Sequence, residues 1–344
     1  MSMSRIKAGA RRRLAAVYYH TGQYKRRLRG KVVILTYHRV LSPSELARHY
    51  VQPGMYVRAD VFEAQMQFLK EHFEVLSLSR LFELWAGGGL DAGTRYCVVT
   101  FDDGWRDNYV HAYPVLRRLG IPATIFLPTR FVGTGEWFWP EKLAYLVEQR
   151  WEARAGRNAD RCALEAEIEV EIGRWKLMRR AEIDRALEKL VRESGASLPR
   201  ERLVMSWDEV AEMARHGVSF GSHSMTHSIL TLASAADVDQ ELRGSLRELE
   251  ERQVNCVPVF CYPNGDYSAE IAAQVRAAGY RGAVCAEPGW ETRVPKNVFA
   301  LRRVAIHNDV SQTVPLFALR LSGLDEVLRR PWRALRTRAA EATT

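Results

Sequence analysis

Two histidines stand four residues apart in the stretch SHSMTHS, which spans residues 222–228. Small and hydroxyl-bearing side chains surround His223 and His227. Histidines at this spacing can face one metal ion, or they can be two unrelated polar residues on one turn. The outcome depends on whether the chain supplies a third ligand, a catalytic partner and a cleft that holds them together.

An acidic pair, Asp102 and Asp103, follows the apolar run YCVVTF and precedes Gly104. Adjacent side chains of an extended strand point to opposite faces, so both acids serve one site only if the chain turns there. Glycine permits such a turn. One acid is then available to bind a metal while its neighbour stays free as a base. The alternative is that both are ordinary turn and cap residues.

Short apolar runs that end in polar or glycine residues recur along the chain, and helical segments separate them. The runs are KVVILTYHRV, YCVVTFDDGWRDN, IPATIFLPT, HGVSFGSHS, VPVFCYPNG, YRGAVCAE and FALRRVAIHND. Strands that alternate with helices predict an α/β protein with a parallel sheet. Seven of them suggest a barrel, whose site lies at the carboxyl ends of the strands. Such a barrel gathers the reactive side chains at one rim: His38, Asp102, Asp103, His223, His227, His307 and Asp309.

One segment interrupts this alternation. Residues 148–196 are highly charged, favour helix and contain no strand pattern. They predict a helical insertion between the third and fourth strands, near the mouth of the cleft. We therefore divide the chain into an N-terminal segment (1–31), a catalytic domain with its insertion (32–310) and a C-terminal tail (311–344).

The positive charge of the chain is concentrated at its two ends. Residues 1–31 carry ten basic side chains and no acidic one, and residues 329–344 carry five Arg against one Glu. The formal net charge of the whole chain is +9. Residues 32–328 therefore have a net charge of −5, the remainder after +10 and +4 are removed.

Both ends have the composition of basic amphipathic segments. The apolar residues among the N-terminal charges are Leu14, Val17, Tyr18 and Tyr19. In the C-terminal segment LRRPWRALRTRAA, Trp332 and Leu335 are the large apolar residues among the arginines. Such segments suit peripheral contact with an anionic membrane, and a solvated basic tail is the alternative. Nucleic acid is not an expected partner, because the net negative charge of residues 32–328 opposes binding along a nucleic-acid groove.

The same features set an expectation for the cellular location. The apolar stretch Leu14–Tyr19 is shorter than the roughly 7–15 residues of an export signal. No run approaches the ~20 apolar residues of a membrane span. Five cysteines lack paired spacing, so disulfides are not expected. We expect a cytoplasmic protein, with peripheral contact at the inner face of the cytoplasmic membrane.

A family resemblance joins the two reactive motifs. TFDDG (100–104) followed by HSMTH (223–227) resembles the paired signature of the polysaccharide deacetylases of the NodB-homology type, carbohydrate esterase family four. Either motif alone is weak, but the similarity continues in order over about residues 32–310 outside the insertion. The further matching segments are YHRV, IPATIFL, SWDEVAEMARHGVSFGSHS, FCYPNG and RVAIH. The resemblance implies a distorted parallel (β/α) barrel with a divalent metal, usually zinc.

The resemblance also implies roles for the strongest motifs. Asp103, His223 and His227 correspond to the metal ligands, and Asp102 corresponds to the general base. Independently, one Asp and two His suit Zn²⁺ or another divalent transition metal, because three protein ligands leave one position open. The question raised by the histidine pair is thus answered in favour of a metal site.

Weaker matches assign the remaining catalytic roles. Pro263 and Gly265 resemble the loop whose main-chain N–H faces the substrate oxygen, which makes Asn264 the candidate donor; an ordinary turn is the alternative. FCYPNG lacks the family's arginine that steadies the base, so we infer that Arg303 replaces it from the next strand. His307 resembles the general acid, and a structural histidine bonded to Asp309 is its alternative.

Other residues are candidates for contact with the sugar. His38 belongs to a variant of the family with an additional histidine after the first strand, and it either lines the pocket or is a buried, hydrogen-bonded histidine. Trp105, Trp137 and Trp139 can form a wall on which a sugar stacks, although tryptophans more often serve packing.

The resemblance implies a metal-dependent hydrolase that removes the N-acetyl group from an amino sugar in a polysaccharide or a lipid-linked saccharide precursor. With no export signal expected, an exopolysaccharide precursor or lipid-linked sugar at the inner leaflet is the favoured substrate. One alternative is a deformylase or other deacylase acting on a lipid-linked amino sugar. The other is a barrel that binds carbohydrate or lipid without turnover.

Overall fold

The two apolar runs VVILTY and YCVVTF lie side by side as parallel strands at the centre of the protein. The computed structural model describes residues 3–48, 50–155 and 160–325. The strands in these ranges are β1 (Val32–Tyr37), β2 (Arg39–Leu41), β3 (Tyr56–Arg58), β4 (Glu74–Val75), β5 (Tyr96–Phe101), β6 (Ala123–Leu127), β7 (Val218–Ser222), β8 (Cys256–Cys261), β9 (Gly282–Pro288) and β10 (Leu301–Ala305).

Seven of these strands close a parallel barrel. Their order is β1-β10-β9-β8-β7-β6-β5, and β5 pairs back with β1. All residues of β1 and β5 are buried, because one face points into the barrel and the other is covered by helices. β4 adds to the start of β5, and β2 with β3 forms a separate parallel pair. The predicted distorted (β/α) barrel is confirmed, with seven strands instead of the usual eight.

Helices connect and cover the strands. They are α1 (Met3–His20), α2 (Gln23–Arg27), α3 (Pro43–Leu46), α4 (Ala59–His72), α5 (Leu78–Ala86), α6 (Tyr113–Leu119), α7 (Trp139–Ala155), α8 (Arg161–Trp175), α9 (Arg180–Ser194), α10 (Trp207–Arg215), α11 (Ala235–Glu251), α12 (Ala269–Ala277), α13 (Asn308–Ser311) and α14 (Val314–Leu321). Serine side chains begin several of them: Ser206 and Ser234, for example, accept hydrogen bonds from the first turns of α10 and α11.

The insertion between β6 and β7 consists of α7, α8 and α9. These helices have a small core of their own, which includes Leu143, Leu146, Ile168, Ile172 and Leu187. The helical region starts at Trp139, nine residues before the predicted start at 148, because Trp139, Pro140 and Glu141 already belong to the first turn of α7.

The N-terminal segment packs against the barrel domain. Ala15 of α1 contacts Leu316 and Leu319 of α14, and Tyr24 and Leu28 lie in the main core. Residues 316–321 of α14 are all buried, so the first part of the segment predicted as a tail belongs to this packing. Residues 326–344, with the predicted amphipathic pattern around Trp332, lie outside the described residues. The domain boundaries stay predictions.

Candidate metal and catalytic site

A tight turn after β5 places both members of the acidic pair in one cavity. Asp103 has a φ of 69° and Gly104 a φ of 64°. A Cβ at position 104 would lie 2.6 Å from a methyl carbon of Leu127, so glycine is required there. Left-handed backbone at a non-glycine residue is uncommon and concentrates at functional sites. Asp102 and Asp103 both line a cavity of about 230 Å³ at the carboxyl ends of the strands.

The two histidines converge on Asp103 from the end of β7. Asp103 Oδ1 lies 3.4 Å from His223 Nε2 and 3.2 Å from His227 Nε2. The ligand atoms of the three residues all lie within 4.8 Å of one another. His227 also has a left-handed backbone, with a φ of 57°, and its N–H donates to Ser224 Oγ over 2.9 Å.

Hydrogen bonds outside this cluster orient the groups that would hold a metal. His223 Nδ1 donates to the Cys261 carbonyl over 2.8 Å, which leaves Nε2 to face the cluster. Trp105 Nε1 donates to Asp103 Oδ2 over 2.9 Å, which leaves Oδ1 available. Such outer contacts are typical of ligands in metal sites. One carboxylate oxygen and two imidazole nitrogens fit Zn²⁺ or another divalent transition metal.

Asp102 lies beside this donor set and forms a buried ion pair. Arg303 Nη1 and Nη2 each donate to one carboxylate oxygen over 2.7 Å, and both side chains are only about 3–5% exposed. Thr36 Oγ1 donates to Asp102 over 3.2 Å. Burial alone would raise the pKa of Asp102, but the Arg303 guanidinium, together with His223 and His38, outweighs it and lowers the pKa to about 2. The carboxylate is therefore ionised throughout the neutral range.

A family model described as polysaccharide deacetylase matches residues 90–283, more than half of the chain. The chain belongs to the polysaccharide deacetylase family. The resemblance found in the sequence is thereby confirmed. YxkH of Bacillus subtilis (strain 168), which is named as a polysaccharide deacetylase, is 23% identical over 281 residues, covering 82% of this chain and 73% of that protein.

Solved structures of deacetylases share the fold. The Streptococcus pyogenes deacetylase PplD, in complex with acetate, has a TM-score of 0.54 at 21% identity and covers 82% of this chain and 95% of its own. IcaB from Ammonifex degensii has a TM-score of 0.55 at 17% identity, with coverage of 85% and 97%. These likenesses extend the family assignment to the three-dimensional architecture of the chain.

The loop after β8 reaches the same cavity of this deacetylase-family chain. Pro263 is buried, and Asn264 and Gly265 line the cavity. Asn264 has a φ of 59°, so this loop also places a non-glycine residue with a left-handed backbone at the site, as Asp103 and His227 do. A Cβ on Gly265 would lie 2.1 Å from the Cβ of Ala286, which excludes any larger residue without rearrangement.

The other two histidines that the sequence predicted at the site, His38 and His307, lie in different surroundings. His38 lines the cavity, and its Nε2 is 3.9 Å from Asp102 Oδ2. His307 immediately precedes α13, and its Nδ1 lies 3.1 Å from Asp309 Oδ2. His307 is not among the described residues that line the cavity. Its assignment as the general acid stays a prediction.

The tryptophans divide between two cavities. Trp105 is only 1% exposed. It lines both the central cavity, which is the one that Asp102 and Asp103 line, and a neighbouring cavity. Trp139 lines the central cavity and stacks on Trp175 with ring centroids 6.2 Å apart. Trp137 lines the neighbouring cavity, and its Nε1 donates to the Glu201 carbonyl over 2.7 Å. All three combine packing with cavity lining.

Some residues of the site were not found from the sequence. Thr36 and the Cys261 carbonyl hold Asp102 and His223, and Glu141 and Lys176 line the cavity from the insertion. Thr36 and Cys261 both stand near the ends of apolar runs, and that position is the signal available for them. Glu141 and Lys176 belong to charged helical sequence, where no local pattern distinguishes them.

Replacing His223 with Ala is expected to lower bound zinc from about one ion per chain to near zero, because one of three protein ligands is lost. Zinc content after gel filtration, measured by atomic emission, checks this. His111→Ala is the control, since that histidine contacts Glu45 at 2.8 Å, away from the cluster. Unchanged zinc in the His223 variant would remove it from the ligand set.

Proposed function

We propose that the protein is a metal-dependent hydrolase that removes the N-acetyl group from an amino sugar of a polysaccharide or of a lipid-linked saccharide. The observation that carries the proposal is the shared cavity. There, the buried ion pair of Asp102 with Arg303 lies beside the Asp103, His223 and His227 donor set. Hydrolysis of an unactivated amide needs both a base and an electrophilic centre, and these two groups can supply them.

The proposed roles follow from the positions of the side chains. Asp103, His223 and His227 would hold zinc or another divalent transition metal. When bound, such an ion lowers the pKa of water and polarises an acyl oxygen. Asp102 accepts the proton of the attacking water, and Arg303 is the positioning residue that keeps it ionised. Asp102 stays unprotonated at neutral pH and is therefore always available as an acceptor.

Two further groups would donate during the reaction: Asn264 to the oxyanion and His307 to the departing amine. The water oxygen bonds to the acetyl carbon, and the Asn264 N–H donates to the oxyanion that forms. The carbon–nitrogen bond then breaks, His307 protonates the departing amine and acetate leaves. A His307→Asn variant with normal zinc content and lost activity would support this role; full activity would refute it.

The sugar ring itself would be held by the walls of the cavity. We propose that His38 and Trp139 contact the ring, and that Gly265, held in place by the buried Pro263, lines the cavity beside it. We propose that the main role of Trp105 is to orient the Asp103 side chain, because its indole N–H donates to that carboxylate.

Comparing the acid released from matched substrates separates this function from its nearest rival. Tri-N-acetylchitotriose and its N-formyl analogue would be supplied to the zinc-loaded protein, with acetate and formate quantified by NMR. Predominant acetate supports the N-deacetylase, and predominant formate supports the deformylase. A barrel that binds saccharide without turnover would release neither, although the intact set of reactive residues argues against it.

We also propose that the enzyme works against an anionic membrane in the cytoplasm. In α1, Leu14 is 46% and Val17 is 62% exposed, beside the exposed Arg12 and Arg13. Apolar side chains flanked by arginines fit the interface of an anionic bilayer. All five cysteines are free thiols, which suits a reducing compartment. No helix within the described residues is long and apolar enough to span a membrane.

Replacing Val17 with Asp is expected to lower flotation with phosphatidylglycerol vesicles at least about fivefold, because a carboxylate replaces an inserted apolar group. Val170→Asp is a matched control, since Val170 is 63% exposed on α8. Point variants are preferable to truncation, which would remove Tyr24 and Leu28 from the main core. Equal flotation of the two variants would reject the α1 anchor.

A further inference from the structure

The loop between α8 and α9, residues 176–179, stands at the opening of the candidate active site. Lys176 lines the central cavity, and Met178 lines a larger cavity of about 560 Å³. These two cavities share Trp139 and His227. The α8–α9 loop therefore borders the approach to a candidate metal ligand.

Hydrogen bonds attach this loop to both of its surroundings. The Leu177 N–H donates to the Arg174 carbonyl over 3.3 Å, which continues the last turn of α8. Arg180 Nη1, at the start of α9, donates to the Thr226 carbonyl over 3.1 Å, and Thr226 immediately precedes His227. The loop is thus fixed to the insertion on one side and to the rim of the barrel on the other.

Leu177, in the middle of the loop, is the most exposed large apolar residue among those that the structure describes, with 82% of its surface accessible. It lines neither of the two cavities. Turns usually carry glycine, proline or short polar residues, so a leucine there is unexpected. Met178 and Leu232, which is 38% exposed, add apolar surface at the larger cavity. Apolar surface collected at one place indicates a contact site.

Basic side chains accompany this apolar surface. Residues 174–180 read RWKLMRR, with four basic residues and no acidic one. Two of the four are in ion pairs: Arg174 with Glu171 at 2.8 Å and Arg180 with Asp184 at 2.9 Å. Exposed pairs of this kind are weak and leave much of the positive potential in place. An apolar tip among basic residues is complementary to an anionic bilayer.

The basic helix α1 reaches the same end of the barrel. Arg11 Nη2 donates to the Val310 carbonyl over 2.8 Å, and Val310 belongs to α13, which follows the carboxyl end of β10. Leu14, which is 46% exposed, lies one turn further along α1. Exposed apolar residues with basic neighbours therefore occur in two separate elements toward the end where the site opens.

We propose that the α8–α9 loop inserts Leu177 into an anionic membrane and turns the opening of the active site toward the bilayer. The substrate is then a saccharide attached to a lipid of that membrane, and not a free polysaccharide. The inference rests on the proposed function, since it assumes that the central cavity acts on an N-acetylated sugar. It goes beyond the α1 anchor, because a second contact fixes the orientation of the site as well as the attachment of the protein.

Two substrates test the loop: soluble tri-N-acetylchitotriose, and hexadecyl N-acetylglucosaminide carried in phosphatidylglycerol vesicles. Replacing Leu177 with Asp is expected to lower acetate release from the vesicle-bound substrate about tenfold and to weaken flotation, because a carboxylate replaces the inserted side chain. The rate on the soluble trisaccharide should be unchanged, since Leu177 lines neither cavity. Val170→Asp is the control: Val170 is 63% exposed on α8 between two glutamates and should affect neither rate.

The outcomes separate the inference from the proposed function. Equal rates and equal flotation of the Leu177 and Val170 variants would overturn the loop contact, and so would equal losses of the Leu177 variant on both substrates. A wild type that releases acetate from the trisaccharide but not from the glycolipid would overturn the lipid-linked substrate. If the wild type releases no acetate from either, the proposed function fails. Weaker flotation of the Leu177 variant would then still support the membrane contact, and unchanged flotation would reject it.

Discussion

Replacing Asp102 with Asn is expected to reduce acetate release about a thousandfold while the protein keeps its zinc. The amide has the shape of the carboxylate but cannot accept the proton of the attacking water, and positioned general bases contribute about 10²–10⁴-fold to rate. The ligand oxygen belongs to Asp103, whose contacts with His223 and His227 remain. Loss of turnover and retention of metal therefore occur in the same variant.

Initial rates on tri-N-acetylchitotriose and zinc content by atomic emission test this expectation together. Asp107→Asn is a suitable control, because Asp107 is also a buried carboxylate paired with an arginine, at 2.9 Å from Arg39. That variant should stay within about tenfold of the wild-type rate. An Asp102→Asn rate equally close to wild type would show that Asp102 is not the base.

Replacing Arg303 with Met is expected to destabilise the fold by about 3–5 kcal/mol at pH 7, because it leaves the Asp102 carboxylate buried without its counter-ion. In the wild type, Arg303 lowers the pKa of Asp102 below its unfolded value. The pair thus stabilises the native state above about pH 4, and this contribution falls as the pH drops toward 2. In the variant, His223 and His38 still oppose the effect of burial but Arg303 no longer does, so the pKa of Asp102 is higher than in the wild type and protonation at lower pH relieves part of the cost. The difference between the two proteins should therefore shrink at pH 4.5.

Urea unfolding at pH 7 and pH 4.5 measures both parts of this expectation. Arg243→Met is the control, since Arg243 and Asp239 form an exposed pair whose loss should change the free energy of unfolding by less than about 1 kcal/mol. Combining Arg303→Met with Asp102→Leu should recover part of the lost stability, because both buried charges are then absent. A single Arg303 variant as stable as wild type would contradict the ion pair.

The sequence predicted the parts of the site that depend on local pattern. Apolar runs marked the barrel strands, and polar residues at their ends marked the rim. The need for a turn at Gly104 followed from the alternation of side chains along a strand, and the left-handed backbone at Asp103 meets that need. The absence of an arginine from FCYPNG led to Arg303, which lies in a bidentate pair with Asp102.

Other features depend on contacts between distant segments. In α1, Ala15 packs against α14, whereas Leu14 and Val17 face solvent. The sequence spacing of these apolar residues does not indicate which of them are buried. The neighbouring cavity, which Trp137 lines, forms where β2, the loop after it, α7, α8 and residues 201–203 meet. In the sequence alone, Glu141 therefore resembles any other acid of a charged helix. The contact of His307 with Asp309 is, by contrast, local, and it is the alternative that the sequence analysis gave for this histidine.

Acetate release before and after zinc removal tests the central claim most directly. The protein would be stripped with a chelator, dialysed and assayed on tri-N-acetylchitotriose, then reassayed after one equivalent of Zn²⁺ is added. A metal-dependent N-deacetylase predicts no acetate from the stripped protein and recovery of the initial rate on reloading. Full activity of the stripped protein, or no acetate from the zinc-loaded protein on any N-acetylated saccharide tested, would contradict it.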